Sequence, residues 1–155
     1  MTTAATSAQI SQIENTRALR YRPILDNLTA EQVTWKVAPG SNSIGFLIRH
    51  IAEAEYAFSG MFTGKRYEGL SEFFTLGPVT DQGQVTDLAA TIKFADEAFS
   101  YLMEAVKALP EDKWDIKTET PVGPLSPREG LSLMQHHMGY HAGQIGLIAK
   151  YGSTL

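Results

Sequence analysis

The longest regular pattern in the chain is a seam of apolar residues at alternating steps of four and three: Leu88, Ile92, Ala95, Phe99, Leu102, Val106 and Leu109. Such spacing keeps one face of an α-helix apolar for upwards of about five turns, and Pro110 then stops it. A second segment opens after Pro39-Gly40, with Ser41 to Ser43 available as N-caps, and carries Ile44, Leu47, Ile51, Ala54, Phe58 and Met61 up to a stop at Gly64. The last segment begins near Pro127, a residue suited to a first helical position, and runs to about Tyr151 before Gly152. Its inward stripe reads Met134, His137, His141, Ile145 and Ile148. The first segment covers Ser7 to Leu28 with Ile10, Ile13, Tyr21, Ile24 and Leu28 inward, and Pro23 predicts a kink or a division there.

The connectors set how these four helices are joined. Lys65 to Gln84, with Gly69, Gly77, Pro78 and Gly83, is longer than adjacent antiparallel helices need, so it predicts a crossover along the bundle. Glu119 to Ser126, with Pro121, Gly123 and Pro124, is a shorter loop that has room for a brief extended pair. The expectation is an all-α four-helix bundle, one domain over residues 1–155, with a long crossover between the second and third helices.

Composition narrows the chemistry. The 155 residues hold 13 Lys+Arg against 17 Asp+Glu, so the chain lacks the clustered positive charge that nucleic acid binding requires. Nothing approaches the run of about 18 apolar residues that a membrane span needs, and Met1 to Gln9 reads as neither a signal nor a transit peptide. A cytoplasmic location without nucleic acid or membrane partners is expected. There is no Cys, which removes disulfides, thiolate metal sites and cysteine nucleophiles, and leaves only His and carboxylate to hold a metal.

The chain has 4 His, and three of them have the placement for a shared site. His137 and His141 lie four residues apart, so they stack on one face of the last helix. His136 is turned roughly 100° away and reads as an exposed or helix-contact residue. His50 lies on the inward stripe of the second helix with Leu47, Ala54 and Met61. Three imidazoles on one side of an ion leave a position open, the pattern of a catalytic rather than a structural site. Other motifs fail: Met138 follows His137 where a zinc protease needs Glu, and Leu47, Leu133, Met134 and Met138 stand three residues before the His residues where a di-iron bundle needs Glu. No Ser/Thr follows Lys65 to complete a phosphate loop, and no G-x-S-x-G occurs.

The segment Ser43 to Glu55 around His50, the closing His137-x-x-x-His141-x-Gly143-Gln144-Ile145, and Tyr151-Gly152 resemble the DinB/YfiT-like family of small bundles. Trp35 with Pro39-Gly40, and Gly123-Pro124-Leu125-Ser126, add to that resemblance, which spans nearly the whole chain. It implies a four-helix bundle, often a homodimer, that binds one divalent ion (zinc, nickel or iron) through His50, His137 and His141. It also implies chemistry on a small-molecule substrate, as a thiol-dependent transferase or a hydrolase. With no Cys in the chain, a low-molecular-weight thiol would have to arrive as a cosubstrate.

No catalytic residue is assigned, but Glu53 and Gln144 are candidates to support the ligands. Glu53 follows His50 by three and could bond that imidazole or act as a base, although a solvated position is the expectation for a helix Glu. Gln144 follows His141 by three and could reach a bound water, the loop above, or a packing partner. Arg17 and Arg20 could meet an anionic substrate, but a surface role is the expectation for both, and Trp35 and Trp114 are expected at the bundle ends. Gly139, Ala142, Gly143 and Gly146 predict a close approach to a neighbouring helix or to a second copy. Phe73 and Phe74 in the crossover could cover the site or meet a partner. Two functions remain open: a metal-dependent enzyme, or a non-catalytic metal-binding dimeric bundle with a structural ion.

Overall fold

The computed structural model of the chain describes residues 2–155. Helix α1 (Ala4–Thr16) passes through a π-turn at Arg17–Tyr21 into α2 (Arg22–Asp26), and together they form the first stave of the bundle. The other staves are α3 (Ile44–Thr63), α4 (Leu88–Ala108) and α5 (Pro127–Tyr151). Their ends follow the local chemistry. Ser43 caps α3 by accepting from the Phe46 N–H, and Gly64 closes it at φ 72°, a left-handed conformation that side chains resist. Ser126 and Glu129 form a reciprocal capping box ahead of α5, with Pro127 at its first position. A turn of 3-10 helix at Ala30–Thr34, capped by Thr29 and Gln32, has no counterpart in the apolar pattern.

The first stave is divided as Pro23 predicts: the π-turn Arg17–Tyr21 interrupts it, and Pro23 stands in the first turn of α2. The widened turn before it takes up the missing donor, with the Arg22 N–H reaching back five residues to the Arg17 carbonyl. This resets the inward stripe to Ile13, Arg17, Tyr21 and Leu25, all buried, whereas Ile24 and Leu28 are only half-buried. Arg17 therefore lies inside the bundle, against the expectation of a surface role, while Arg20 is exposed.

Pairings between staves set the topology. Arg49 packs on Phe94 and Tyr56 on Tyr101, so α3 and α4 run parallel. His50 meets His137, and Met61 lies beside Gly130, so α5 runs opposite to α3. Gln9 and Thr16 meet Ser132 and Gln135, which sets the first stave parallel to α5. The result is an up-down-down-up bundle, and its parallel middle pair requires a long return. That return runs back along α3: Tyr67 stacks on Tyr56, Thr75 reaches Glu53, and Asp81 accepts from the Ser43 N–H. Thr118 and Leu125 exchange both backbone bonds in the short loop before α5, the brief extended pair expected there.

The core runs through all four staves, from Ile13 and Leu25 through Ile48, Ile51 and Leu102 to Leu131 and Ile145, with Trp114 sealing one end. Ile44 to Ile48 and Ile51 to Tyr56 are buried without a break, because α3 has helices on some sides and the return segment on another. A Cβ on Gly45 would stand 2.7 Å from Val33 Cγ2 and 2.8 Å from Val85 Cγ1, which places a close approach at that end of α3. Of the small residues along α5, Ala142 is buried in the core and a Cβ on Gly146 would stand 3.5 Å from Ile24, whereas a Cβ on Gly139 or Gly143 would meet nothing within 4 Å in this chain. No helix among the described residues is long and apolar enough to cross a membrane.

Candidate metal centre

His50 stands in the middle of α3, and the antiparallel crossing sets it opposite the turn of α5 that carries His137 and His141. The ring centroids lie 4.7 Å apart for His50 and His137, 4.7 Å for His50 and His141, and 4.5 Å for His137 and His141. One nitrogen from each lies within 4.8 Å of the others, and this is the only group of three or more potential metal-binding side chains among the described residues. All three rings are half-buried, whereas His136 is exposed and stacks on Tyr140.

Each outer nitrogen that is engaged shows which nitrogen carries the proton. His50 Nδ1 lies 2.8 Å from the Thr75 carbonyl, which can only accept, so Nδ1 donates and Nε2 keeps its lone pair. His141 Nδ1 donates to Gln144 Oε1 at 2.6 Å in the same way. His137 Nε2 and His50 Nε2 are 2.9 Å apart, so the His137 proton bridges the two rings. Burial, and then the neighbouring imidazoles, push His137 down to about 3. Burial also lowers His141, against the opposing pull of its Gln144 bond. Neutral imidazole is the form that binds metal, and an all-nitrogen set of this kind suits zinc, nickel or iron. The residues present fit such an ion.

Glu53 is not solvated. It is fully buried, and its carboxylate turns away from the rings toward the return segment. Oε1 accepts from Arg49 Nε at 2.8 Å and from the Phe74 N–H at 3.3 Å; Oε2 accepts from the Thr75 N–H at 2.8 Å and its hydroxyl at 2.5 Å. It therefore touches no histidine, and is joined to His50 only through Thr75. Gln144 does contact the site, at the outer nitrogen of His141. Phe74 lies under the Arg49 guanidinium at 4.8 Å, on α3, so the crossover does cover this side of the bundle. Thr75 acts through its backbone carbonyl, for which residue type carries no signal, and the apolar pattern passed over it. Phe46 stacks 6.5 Å from His50, and Tyr140 stands edge-on to His141 at 5.0 Å. A surface hollow of about 760 Å³, lined by Lys93, Asp96, Glu97 and Glu104 on α4, includes none of the three histidines.

A second polar cluster lies between the π-turn, α3 and α4. Glu55, Arg17 and Tyr21 are all buried there. Both Glu55 oxygens, Arg17 Nη1 and the Tyr21 hydroxyl lack a hydrogen-bond partner, with Arg17 Nη1 3.8 Å from Glu55 Oε1. Burial, with Arg17 opposing it, pushes Glu55 up to about 8.

An all-helical bundle with three histidines converging from two helices defines the class of protein. The sequence model of the DinB superfamily matches residues 12–145, and the chain belongs to that superfamily. No curated protein matches it.

Proposed function

We propose that this chain is a metal-dependent enzyme acting on a small molecule, either a transferase using a low-molecular-weight thiol or a hydrolase. His50, His137 and His141 would hold one zinc, nickel or iron ion per chain. The observation that carries this reading is the convergence of three imidazoles from α3 and α5 with no carboxylate among them. A divalent ion bound there would supply Lewis acidity to a thiol or a water. The chain's own residues prepare the place: Thr75 and Gln144 occupy the outer nitrogens of His50 and His141, which leaves their Nε2 lone pairs facing inward. Phe46 and Tyr140 border the rings. With no Cys in the chain, the thiol is a cosubstrate. We place the protein in the cytoplasm as one domain and a homodimer. The exposed Tyr140, Leu147 and Tyr151 on the outer side of α5 support the dimer.

One observation favours the second reading, a structural ion in a non-catalytic bundle. The nearest buried carboxylate, Glu53, is engaged by its own donors and leaves no free base beside the rings. Elemental analysis of the untagged protein, followed by cobalt substitution, separates the two. The enzyme reading expects close to one divalent ion per chain, lost in His137→Ala or His141→Ala with helix content kept. It also expects a visible cobalt spectrum that changes when a small thiol is added. Stoichiometric metal in the triple-His variant overturns the site, and a spectrum indifferent to thiol moves the assignment to the structural ion.

A further inference from the structure

We propose that Glu53 is a positioning residue for the metal centre, acting through Thr75 on the tautomer of His50; the proposal rests on the three-histidine reading. The chain of contacts is continuous. Four donors from Arg49, Phe74 and Thr75 converge on the Glu53 carboxylate, two of them from Thr75 alone. The carbonyl of that same Thr75 then accepts from His50 Nδ1 at 2.8 Å. The two bonds to Glu53 anchor residue 75 by its N–H and its hydroxyl, its carbonyl then meets His50 Nδ1, and that carbonyl determines which His50 nitrogen carries the proton.

The cost of the arrangement argues that its position matters. A buried carboxylate with an arginine partner adds little stability over an apolar pair of similar volume. The return segment is already tied to α3 at both ends of this stretch, by Tyr67 on Tyr56 and by Asp81 on the Ser43 N–H. What Glu53 adds is the placement of residue 75, held by its N–H and its hydroxyl, whose carbonyl opens the next peptide unit toward His50. Arg49 is braced for the same task, with its guanidinium over Phe94 at 3.8 Å and Phe74 at 4.8 Å while Nε donates to Glu53. A histidine ligand generally needs its second nitrogen engaged in this way to present the first as a lone pair, and removing such a partner weakens metal affinity about 10–100-fold. At His141 a side chain, Gln144, fills the role; at His50 a backbone carbonyl fills it and Glu53 holds the residue that carries it.

The test uses full-length, metal-free protein with ¹⁵N-labelled histidine, plus zinc titration against a chromophoric chelator. In the unaltered protein, long-range proton–nitrogen correlation should show His50 as the single Nδ1–H tautomer. Glu53→Gln should replace that signal with a tautomer mixture and weaken zinc binding about 10–100-fold, with His141 unchanged. Thr75→Val removes one bond to Glu53 without removing a charge and should act in the same direction. Thr75→Ser keeps the hydroxyl and should restore both readouts. If Glu53→Gln does not fold, the Thr75 pair decides. A folded Glu53→Gln or Thr75→Val protein with the original His50 tautomer and zinc affinity would show that Glu53 only tethers the return segment, and the proposal falls. Failure of the metal reading is separate: a parent protein that takes up no zinc removes that reading, and the tautomer readout still decides whether Glu53 sets His50.

Discussion

Replacing Glu55 with Gln should make the protein more stable, and increasingly so as pH rises. Glu55 is buried with neither oxygen hydrogen-bonded. Its one cation, Arg17, stands at 3.8 Å through Nη1 and directs Nη2 to Asp96 at 2.8 Å instead. Desolvation outweighs that attraction, and Asp96 adds to it, so the carboxyl rises from 4.5 to about 8. Between those values the unfolded chain releases the proton while the folded chain keeps it. The folded state then binds more protons, and stability falls as pH rises, levelling off above pH 8. At about 1.4 kcal/mol per pH unit, the loss by pH 9 is on the order of 3–5 kcal/mol, or roughly 6–20 °C in Tm for a chain of this size. The assay is urea unfolding followed by helical circular dichroism, on chelator-treated protein from pH 5 to 9. His137 and His141, held neutral by burial, contribute a slope of the opposite sign below their unfolded value, so the quantity to plot is variant minus parent. That difference should be small at pH 5 and grow in favour of Glu55→Gln up to pH 9. A flat difference, or one growing in favour of the parent, would show that the Arg17 pair outweighs desolvation and would refute the reasoning.

Two further substitutions test separate parts of the structure. Gln144→Ala removes the acceptor on His141 Nδ1, and competition titration should show zinc affinity lowered about 10–100-fold with the melting temperature of the metal-free protein nearly unchanged. Gly45→Ala forces a Cβ to within 2.7 Å of Val33 and 2.8 Å of Val85. Overpacking exceeds the helix-propensity gain there, so thermal unfolding should show a net loss of about 1–2 kcal/mol; an unchanged or raised midpoint would contradict the close approach.

The parts of the fold legible in the sequence are those set within a few residues. The seam from Leu88 to Leu109, the capping serine Ser43, the start of α5 at Pro127 and the stop at Gly64 each depend on near neighbours, and each lies where the pattern put it. The π-turn was hidden because an apolar template skips charged residues. The buried stripe steps Ile13, Arg17, Tyr21, Leu25, and an arginine at its second position made Ile24 look like the inward residue. The length of the crossover announced a parallel pair of helices. Its course back along α3 depends on Asp81 meeting Ser43 and Thr75 meeting Glu53, contacts 38 and 22 residues apart that no local pattern encodes.

The same distinction explains the site. The four-residue step from His137 to His141 is a local signal, and His50 followed because its stripe faced inward. The expectation of a solvated Glu53 holds only for a helix that keeps one face in water. Yet Ile51-Ala52-Glu53-Ala54-Glu55-Tyr56 is apolar around the helix on every side of its two carboxylates, which is the pattern of a stave enclosed all round. In such a helix both glutamates are buried, and what separates them is the donors each meets. Glu53 meets four, and Glu55 meets none within hydrogen-bonding distance. Residues of one type, two positions apart and equally dry, should therefore respond in opposite senses to loss of charge. Gln at position 53 leaves donors facing donors and costs stability, whereas Gln at position 55 relieves an uncompensated burial and adds it.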